Sequence, residues 1–272
     1  KMSINADEVV KNGVVKPEDR DRITDSMQWK FDGSFIGKDN LALIDILVHN
    51  HWKRPICFTT TMSNKDLNGL EPYLYKEGFV YHLMPLKSTA ANPREAKINS
   101  AAMYDNLVNK FKYGNFKHAK NLDEQSKNLF YPLITASYLE LTQSLVNEGK
   151  NDLALKALHK YDQEMPDIYP YAGIAQSKYW LIDTAFRLHD KTTANKYSSS
   201  ADDYLTDQLN YNYHLLQSSP GDVNIQNVQF EVSALSSIAS LNKQYDQPEI
   251  AAKLQAQADD YMTKFKDVMN KQ

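Results

Sequence analysis

Cysteine is almost absent from this chain of 272 residues, because Cys57 is the only one. A single thiol excludes an intramolecular disulfide and a thiolate metal cluster. Cys57 stands in the apolar run 55–58, so we predict a small, buried side chain. Apolar surroundings raise the pKa of a thiol, and such a side chain would be unreactive.

Long apolar runs and clustered positive charge are also lacking. No stretch reaches the roughly 18 continuous apolar residues of a transmembrane helix, and residues 1–6 contain no apolar signal core. We therefore expect the fragment itself to be soluble and Lys1 to lie inside a longer natural chain. The formal net charge is −3 and the lysines are spread along the sequence, which argues against nucleic acid as a partner.

Catalytic and ligand-binding motifs are lacking as well. The sequence contains no glycine-rich phosphate loop, nucleophile elbow or zinc motif. His49 and His51 are two positions apart, so they would face different sides of a helix. We therefore predict no catalytic residue, no metal and no cofactor for this fragment.

The N-terminal segment combines helical and strand patterns. Apolar residues from 41 to 48 recur at helical spacing and cover most of the circumference, which predicts a well-buried helix. Residues 56–61 are predicted to form a strand, 67–77 a helix that ends at Gly78, and 79–84 a second strand. This order favours a parallel crossover, so the small sheet is predicted to be mixed or parallel.

The C-terminal segment shows only helical patterns. Residues 138–166 fit a tetratricopeptide unit, with Tyr138 at the large aromatic position, Gly149 in the turn and Ala154 where the two helices touch. Two further helical pairs are predicted at about 174–216 and 223–269. Their spacing is unequal and exceeds the usual unit of about 34 residues, so an unrelated helical bundle is the alternative.

These patterns predict an α+β, mostly α fold with two domains. A small α/β domain would cover residues 1–98, and a tetratricopeptide-like α-helical array would cover residues 99–272. Within the first domain, residues 1–38 are predicted to be loops with a short strand at 29–31.

Large aromatic residues are the candidates for a ligand or partner surface, although packing is their commoner role. Trp52 in particular is expected to be a core residue. The candidates are Trp29, Trp52, Tyr73, Tyr75, Tyr81, Tyr169, Tyr171 and Tyr179.

A family resemblance is carried by five blocks of sequence, at residues 40–47, 50–59, 69–74, 77–85 and 110–115. The most specific motif is Trp-Lys-Arg-Pro-Ile in the second block. These blocks resemble the soluble C-terminal region of a bacterial family of uncharacterised membrane proteins. The N-terminal part of that family is a polytopic region similar to protein O-mannosyltransferases, which are of the GT-C type.

The resemblance implies a non-catalytic accessory domain of a membrane glycosyltransferase-like protein, at the periplasmic face of the inner membrane. The fragment would position partner or acceptor proteins, so a protein or peptide is the expected partner. A lipid-linked sugar would be handled only by a membrane region that this fragment lacks. The alternatives are an independent tetratricopeptide-like protein-binding scaffold and a carbohydrate-binding module.

Two tripeptides match the acceptor pattern of bacterial O-glycosylation, which is an acid, a hydroxyl residue and an apolar residue. They are centred on Ser26 and Thr184. Thr184 falls in a helix that we expect to be buried, so Ser26 is the candidate O-glycan acceptor.

Overall fold

The structure, a computed structural model, describes residues 1–28, 36–62, 67, 69–86, 97–119, 121–167 and 173–269. It confirms the predicted fold class, because a small sheet-containing N-terminal part is followed by a helical array. The chain divides into two compact units, Lys1–Phe111 and Lys112–Gln272. The domain boundary suggested by the sequence, between residues 98 and 99, stays a prediction.

The first unit begins with a two-stranded sheet and a short helix. β1 (Met2–Ser3) pairs antiparallel with β2 (Ser26–Met27). Between them lies α1 (Ala6–Lys11), which begins where the Asn5 side chain accepts hydrogen bonds from two N–H groups of the first turn. A 3₁₀ segment follows at Pro17–Arg22. The prediction of loops was wrong for these elements, because α1 has only 6 residues and shows no clear apolar period.

The predicted second helix is present, but its predicted burial was wrong. In α2 (Lys38–His49), Leu47 is the buried residue. Leu41 and Ile46 are each 54% exposed, and Val48 is 49% exposed. Apolar residues around the whole circumference indicate burial on every side, whereas the unit covers one face of this helix. The strand predicted at 29–31 lies outside the described residues.

A four-stranded sheet forms the centre of the first unit. Its strands are β3 (Cys57–Thr59), β4 (Leu74–Lys76), β5 (Val80–Leu83) and β6 (Lys97–Ile98), in the spatial order β3-β5-β4-β6. The β4–β6 pair is parallel and the other two pairs are antiparallel. The sheet is therefore mixed, as predicted.

The helix predicted at 67–77 was wrong. The chain forms a 3₁₀ turn at Glu71–Tyr73, then enters β4 and returns as β5 through a hairpin at Gly78, whose φ is +111°. Gly78 therefore lies in the turn of a hairpin and does not end a helix. Because β5 pairs antiparallel with β3, the predicted parallel crossover was wrong as well. Pairing with β5 outweighs the local helical pattern.

Trp52 anchors the core of this unit. Its ring is 8% exposed, although its backbone has a φ of 58°, an uncommon conformation for a bulky residue. The turn around it is held by Asn50, whose side chain accepts from the Arg54 N–H at 3.2 Å and donates to the Arg54 carbonyl at 2.7 Å. Phe58 from β3 and Leu74 from β4 belong to the same core.

The first unit ends in a helical segment. α3 (Ser100–Tyr104) is capped by the Asn99 side chain and continues as a π-helix over Asp105–Lys110. Phe111 then stacks on Phe79, with ring centroids 5.1 Å apart.

Sequential helices build the second unit. They are α4 (Tyr131–Asn147), α5 (Asn151–Glu164), α6 (Ile174–Arg187), α7 (Lys191–Ser218), α8 (Ile225–Gln244) and α9 (Pro248–Met269). These helices correspond to the three predicted pairs. Shorter 3₁₀ and π segments at Phe116–His118 and Ser126–Phe130 precede them.

The three pairs share one structural feature. Ala154, Ala194 and Ala251 are each the fourth residue of the second helix in their pair, and their exposures are 0%, 0% and 7%. A small buried residue lets two joined helices approach closely. Their unequal sequence spacing arises largely from α7, which has 28 residues against 14 in α5. The tetratricopeptide-like character of this array stays a prediction.

A buried lysine links α6 to two neighbouring segments. The Lys178 side chain is 2% exposed, and its Nζ lies 2.7 Å from Asp167 Oδ1 and 3.3 Å from Ser200 Oγ. The ammonium also lies 4.6 Å from the centroid of the Tyr197 ring. Burial lowers the pKa of Lys178, and the Asp167 carboxylate opposes that shift.

Replacing Trp52 by alanine should lower the free energy of unfolding by about 3–5 kcal/mol, because a large core aromatic is lost. Urea denaturation followed by far-ultraviolet circular dichroism measures this. Leu41→Ala is the control, and we expect it to change stability by less than about 0.5 kcal/mol because the side chain is exposed. A loss below about 1 kcal/mol for Trp52→Ala would contradict the core role of the ring.

Candidate functional site

The aromatic candidates of the first unit pack in or against its core. Trp52 and Tyr75 are buried, and Tyr73 and Tyr81 pack half-buried against the same cluster. The Tyr73 hydroxyl also accepts a hydrogen bond from the N–H of Gln28 at 3.0 Å. These rings therefore offer no open platform for stacking a sugar.

The other candidate residues are scattered. Trp29, Tyr169 and Tyr171 lie outside the described residues. Ser26 is half-buried in β2, where its backbone pairs with Ser3, and its glycosylation stays a prediction. Tyr179 lies on α6, where it lines an open cleft.

This cleft lies between α6 and α8 and has a volume of about 510 Å³; we call it the α6–α8 cleft. Gln176, Tyr179 and Trp180 line it from α6, and Phe230, Gln244 and four serines line it from α8. Its volume falls within the range of roughly 300–1,000 Å³ that is typical of ligand sites.

Large rings form the walls of the cleft. Trp180 is 45% exposed and Phe230 is 50% exposed. Tyr179 meets Trp180 edge to face, with centroids 5.2 Å apart and an interplanar angle of 86°. This edge-to-face contact is one of the preferred arrangements of two aromatic rings and gives Trp180 a packing partner on its own helix.

Beyond the cleft, α6 contacts the C-terminal end of α8 directly. Phe186 stacks on Tyr245, with centroids 4.7 Å apart, and the Tyr245 hydroxyl donates to Asp183 Oδ1 at 3.1 Å. Burial raises the pKa of Tyr245, and the Asp183 carboxylate raises it further, so the hydroxyl keeps its proton at neutral pH. All α6 residues that line the cleft precede Asp183.

Trp180 and Phe230 are not among the site residues predicted from the sequence. In α8 the buried stripe contains Val228, Val232 and Leu235, and Phe230 falls outside it. A large apolar residue outside the buried stripe of a helix is the signal that indicates an exposed contact. Trp180 directly follows Tyr179, which was a candidate.

A polar cluster on the four-stranded sheet is the second region with chemically interesting groups. Cys57 and His82 are directly opposite each other on β3 and β5. His82 Nδ1 lies 3.3 Å from Glu77 Oε2, and Asn99 Nδ2 donates to Glu77 Oε1 at 2.7 Å. A histidine held by a carboxylate beside a cysteine is the pattern of a thiol nucleophile.

The thiol itself does not fit that role. Cys57 is exposed, so its predicted burial was wrong, because β3 is an edge strand and its inward position is taken by Phe58. Partial burial and the charge of Glu77 raise the pKa of the Cys57 thiol. The thiol is therefore protonated at neutral pH, whereas a nucleophilic cysteine needs a lowered pKa.

Two further properties concern the described part of the chain. Among these residues, no group of three or more His, Cys, Asp or Glu side chains is placed to hold a metal ion. None of the helices traced there has both the length and the hydropathy needed to span a membrane.

The chain belongs to a structural class in which a small α/β unit is followed by a helical array, and the helical array contains an open cleft. Comparison with known proteins adds one finding. Residues 1–102 match the family model described as TMEM260-associated domain 2. The N-terminal segment is thus similar to a domain of TMEM260-like proteins. No curated protein and no solved structure matches the chain.

Glu77→Gln should destabilise the protein in a pH-dependent way. Burial alone would raise the pKa of Glu77, but hydrogen bonds from His82 and Asn99 and the charge of His82 hold it below its ordinary value. A carboxyl group with a lowered folded-state pKa stabilises above its unfolded pKa, and this contribution is lost as pH falls through the folded pKa. We expect a loss of about 1–2 kcal/mol at pH 7.

Urea denaturation at pH 7 and at roughly pH 3.5 measures the effect, because ordinary glutamate titrates near 4.3. The difference between wild type and Glu77→Gln should shrink at the lower pH. Glu18→Gln is the control, since the Glu18 side chain is 69% exposed and should contribute little at either pH. A difference that does not change with pH would contradict this role of Glu77.

Proposed function

We propose that this chain is a non-catalytic accessory region of a membrane glycosyltransferase-like protein. It positions partner or acceptor proteins by holding a segment of them in the α6–α8 cleft. The region faces the periplasm, and a lipid-linked sugar is handled elsewhere in the full-length protein.

The accessory role is supported by the family match and by the chemistry of the described residues. Residues 1–102 are similar to a domain whose description associates it with TMEM260. The cluster nearest to a catalytic pattern contains a thiol with a raised pKa. The family description supports a domain associated with a larger protein, and the raised pKa of the thiol argues against a thiol nucleophile at this cluster.

The α6–α8 cleft is the single observation that carries the binding role. Exposed large rings at Trp180 and Phe230 lie on two helices that the same unit holds in place. Aromatic anchors in a preformed cleft are typical of the residues that dominate peptide and protein recognition.

The second candidate is an independent tetratricopeptide-like scaffold. It is favoured by the position of the cleft, whose lining residues lie between Ala175 and Gln244 and therefore outside the matched residues 1–102. Reading the natural gene upstream of Lys1 separates the two. Several apolar spans of about 18 or more residues support the membrane protein. A product that starts near Lys1, or that has only a signal peptide before it, supports the scaffold.

Trp180→Ala and Phe230→Ala should each weaken binding at least about tenfold, because each removes an exposed aromatic anchor from the lining of the cleft. Random dodecapeptides displayed on phage are selected on the purified chain, and the selected peptides are then titrated by calorimetry.

Tyr211→Ala is the matched control, since Tyr211 is a 63% exposed aromatic residue of α7 that does not line the cleft. It should leave the dissociation constant unchanged. Binding that survives both cleft variants, or that is lost equally in the control, would rule out the cleft as the docking site.

The non-catalytic assignment has its own test. The purified chain, incubated with a lipid-linked sugar donor and an acceptor peptide, should release and transfer no sugar. Transfer above the rate without protein would overturn this part of the proposal.

A further inference from the structure

We infer that the segment held in the α6–α8 cleft is an extended, uncharged stretch of about six residues that carries an aromatic side chain. The length follows from helix and strand geometry. This inference rests on the proposed function, because it specifies the chemistry of the peptide that the cleft binds.

The lining of the α6–α8 cleft determines which charge its occupant can carry. Among the residues that the structure describes, none that lines the cleft carries a charge at neutral pH, although 24% of the residues in the chain are charged. A charged ligand side chain would lose part of its hydration in the cleft and meet no counter-charge there. The carboxylate of Asp183, on the same helix as Tyr179, already accepts a hydrogen bond from the Tyr245 hydroxyl at 3.1 Å. The lining therefore matches a neutral occupant.

The length of the α8 side of the cleft sets the length of the bound segment. The residues that line the cleft on this helix run from Phe230 to Gln244. At about 1.5 Å per residue, they cover about 21 Å. An extended chain advances about 3.3 Å per residue, so about six residues fill the cleft.

Small polar side chains line the α8 side of the cleft. Ser233, Ser237 and Ser240 are small, so a peptide backbone can approach α8 closely. The Ser237 hydroxyl donates to the Ser233 carbonyl at 2.8 Å, which leaves its oxygen able to accept a peptide N–H. The amides of Gln176 and Gln244 supply donors and acceptors for a backbone in the same cleft.

The rings select the side chain. Trp180 and Tyr179 line the cleft from α6, and Phe230 lines it from α8. Their exposed faces and edges fit an aromatic partner in an offset or edge-to-face arrangement. The bound segment therefore presents one ring to Trp180, and hydrogen bonds of its backbone hold it along α8.

The test uses capped hexapeptides of serine and alanine with one central tryptophan, and matched peptides in which a neighbouring alanine is lysine or aspartate. Calorimetry with the full chain should show that the neutral peptide binds and that either charge weakens binding at least about tenfold. Raising NaCl from about 50 to 500 mM should change the affinity of the neutral peptide less than about twofold, because salt screens only charged contacts.

Ser237→Asp gives a second, independent readout. The added carboxylate should improve binding of the lysine peptide relative to the neutral one. Ser199→Asp is the control, because Ser199 is an exposed residue of α7 that does not line the cleft, and it should not change this preference. Both variants are compared with wild type by circular dichroism, so that misfolding is detected.

The outcomes separate this inference from the proposed function. Preferred binding of a charged peptide that depends on Trp180 would overturn the inference and leave the proposed function standing. Displacement of the peptide by a neutral oligosaccharide of higher affinity would overturn the inference and assign the cleft to glycans. If no peptide of any charge binds, the proposed function itself fails.

Discussion

Close approach of paired helices is the constraint on which the second unit depends. Ala154, Ala194 and Ala251 occupy the same place in their pairs, and each is buried where a larger side chain would separate the helices. With the pairs set in this way, α6 packs on both α4 and α8. The cleft lined by Trp180 and Phe230 lies between two of these packed helices, α6 and α8.

Polar contacts between side chains also hold the helices of the second unit in place. Lys178 is buried and paired with Asp167, so α6 is tied to the segment that follows α5. His159 Nε2 lies 2.7 Å from Asp190 Oδ2, and Asp190 also caps the start of α7. Removing Asp167 would leave the buried ammonium of Lys178 without its counter-charge, whereas the half-exposed His159 side chain contributes less through its ion pair.

Much of the architecture could be predicted from local pattern. The helical pairs, the turn at Gly149 and the mixed sheet follow from periodicity and from turn residues. The helix predicted at 67–77 failed because pairing with β5 decides the structure of Leu74–Lys76. The candidate site was predicted only through Tyr179. Trp180 and Phe230 were missed because no local pattern shows which surface residues of two distant helices share a cleft.

The sequence by itself determined the helices of the second unit, the small residues at their contacts and the shortage of reactive groups. These are properties of composition and of spacing along the chain, which local sterics and side-chain chemistry convert directly into structure. Tertiary structure alone decided that Leu41 and Cys57 are exposed, and that Trp180 and Phe230 line one cleft. Burial and proximity depend on which surfaces meet, and residues 50 positions apart meet only when the whole unit has packed.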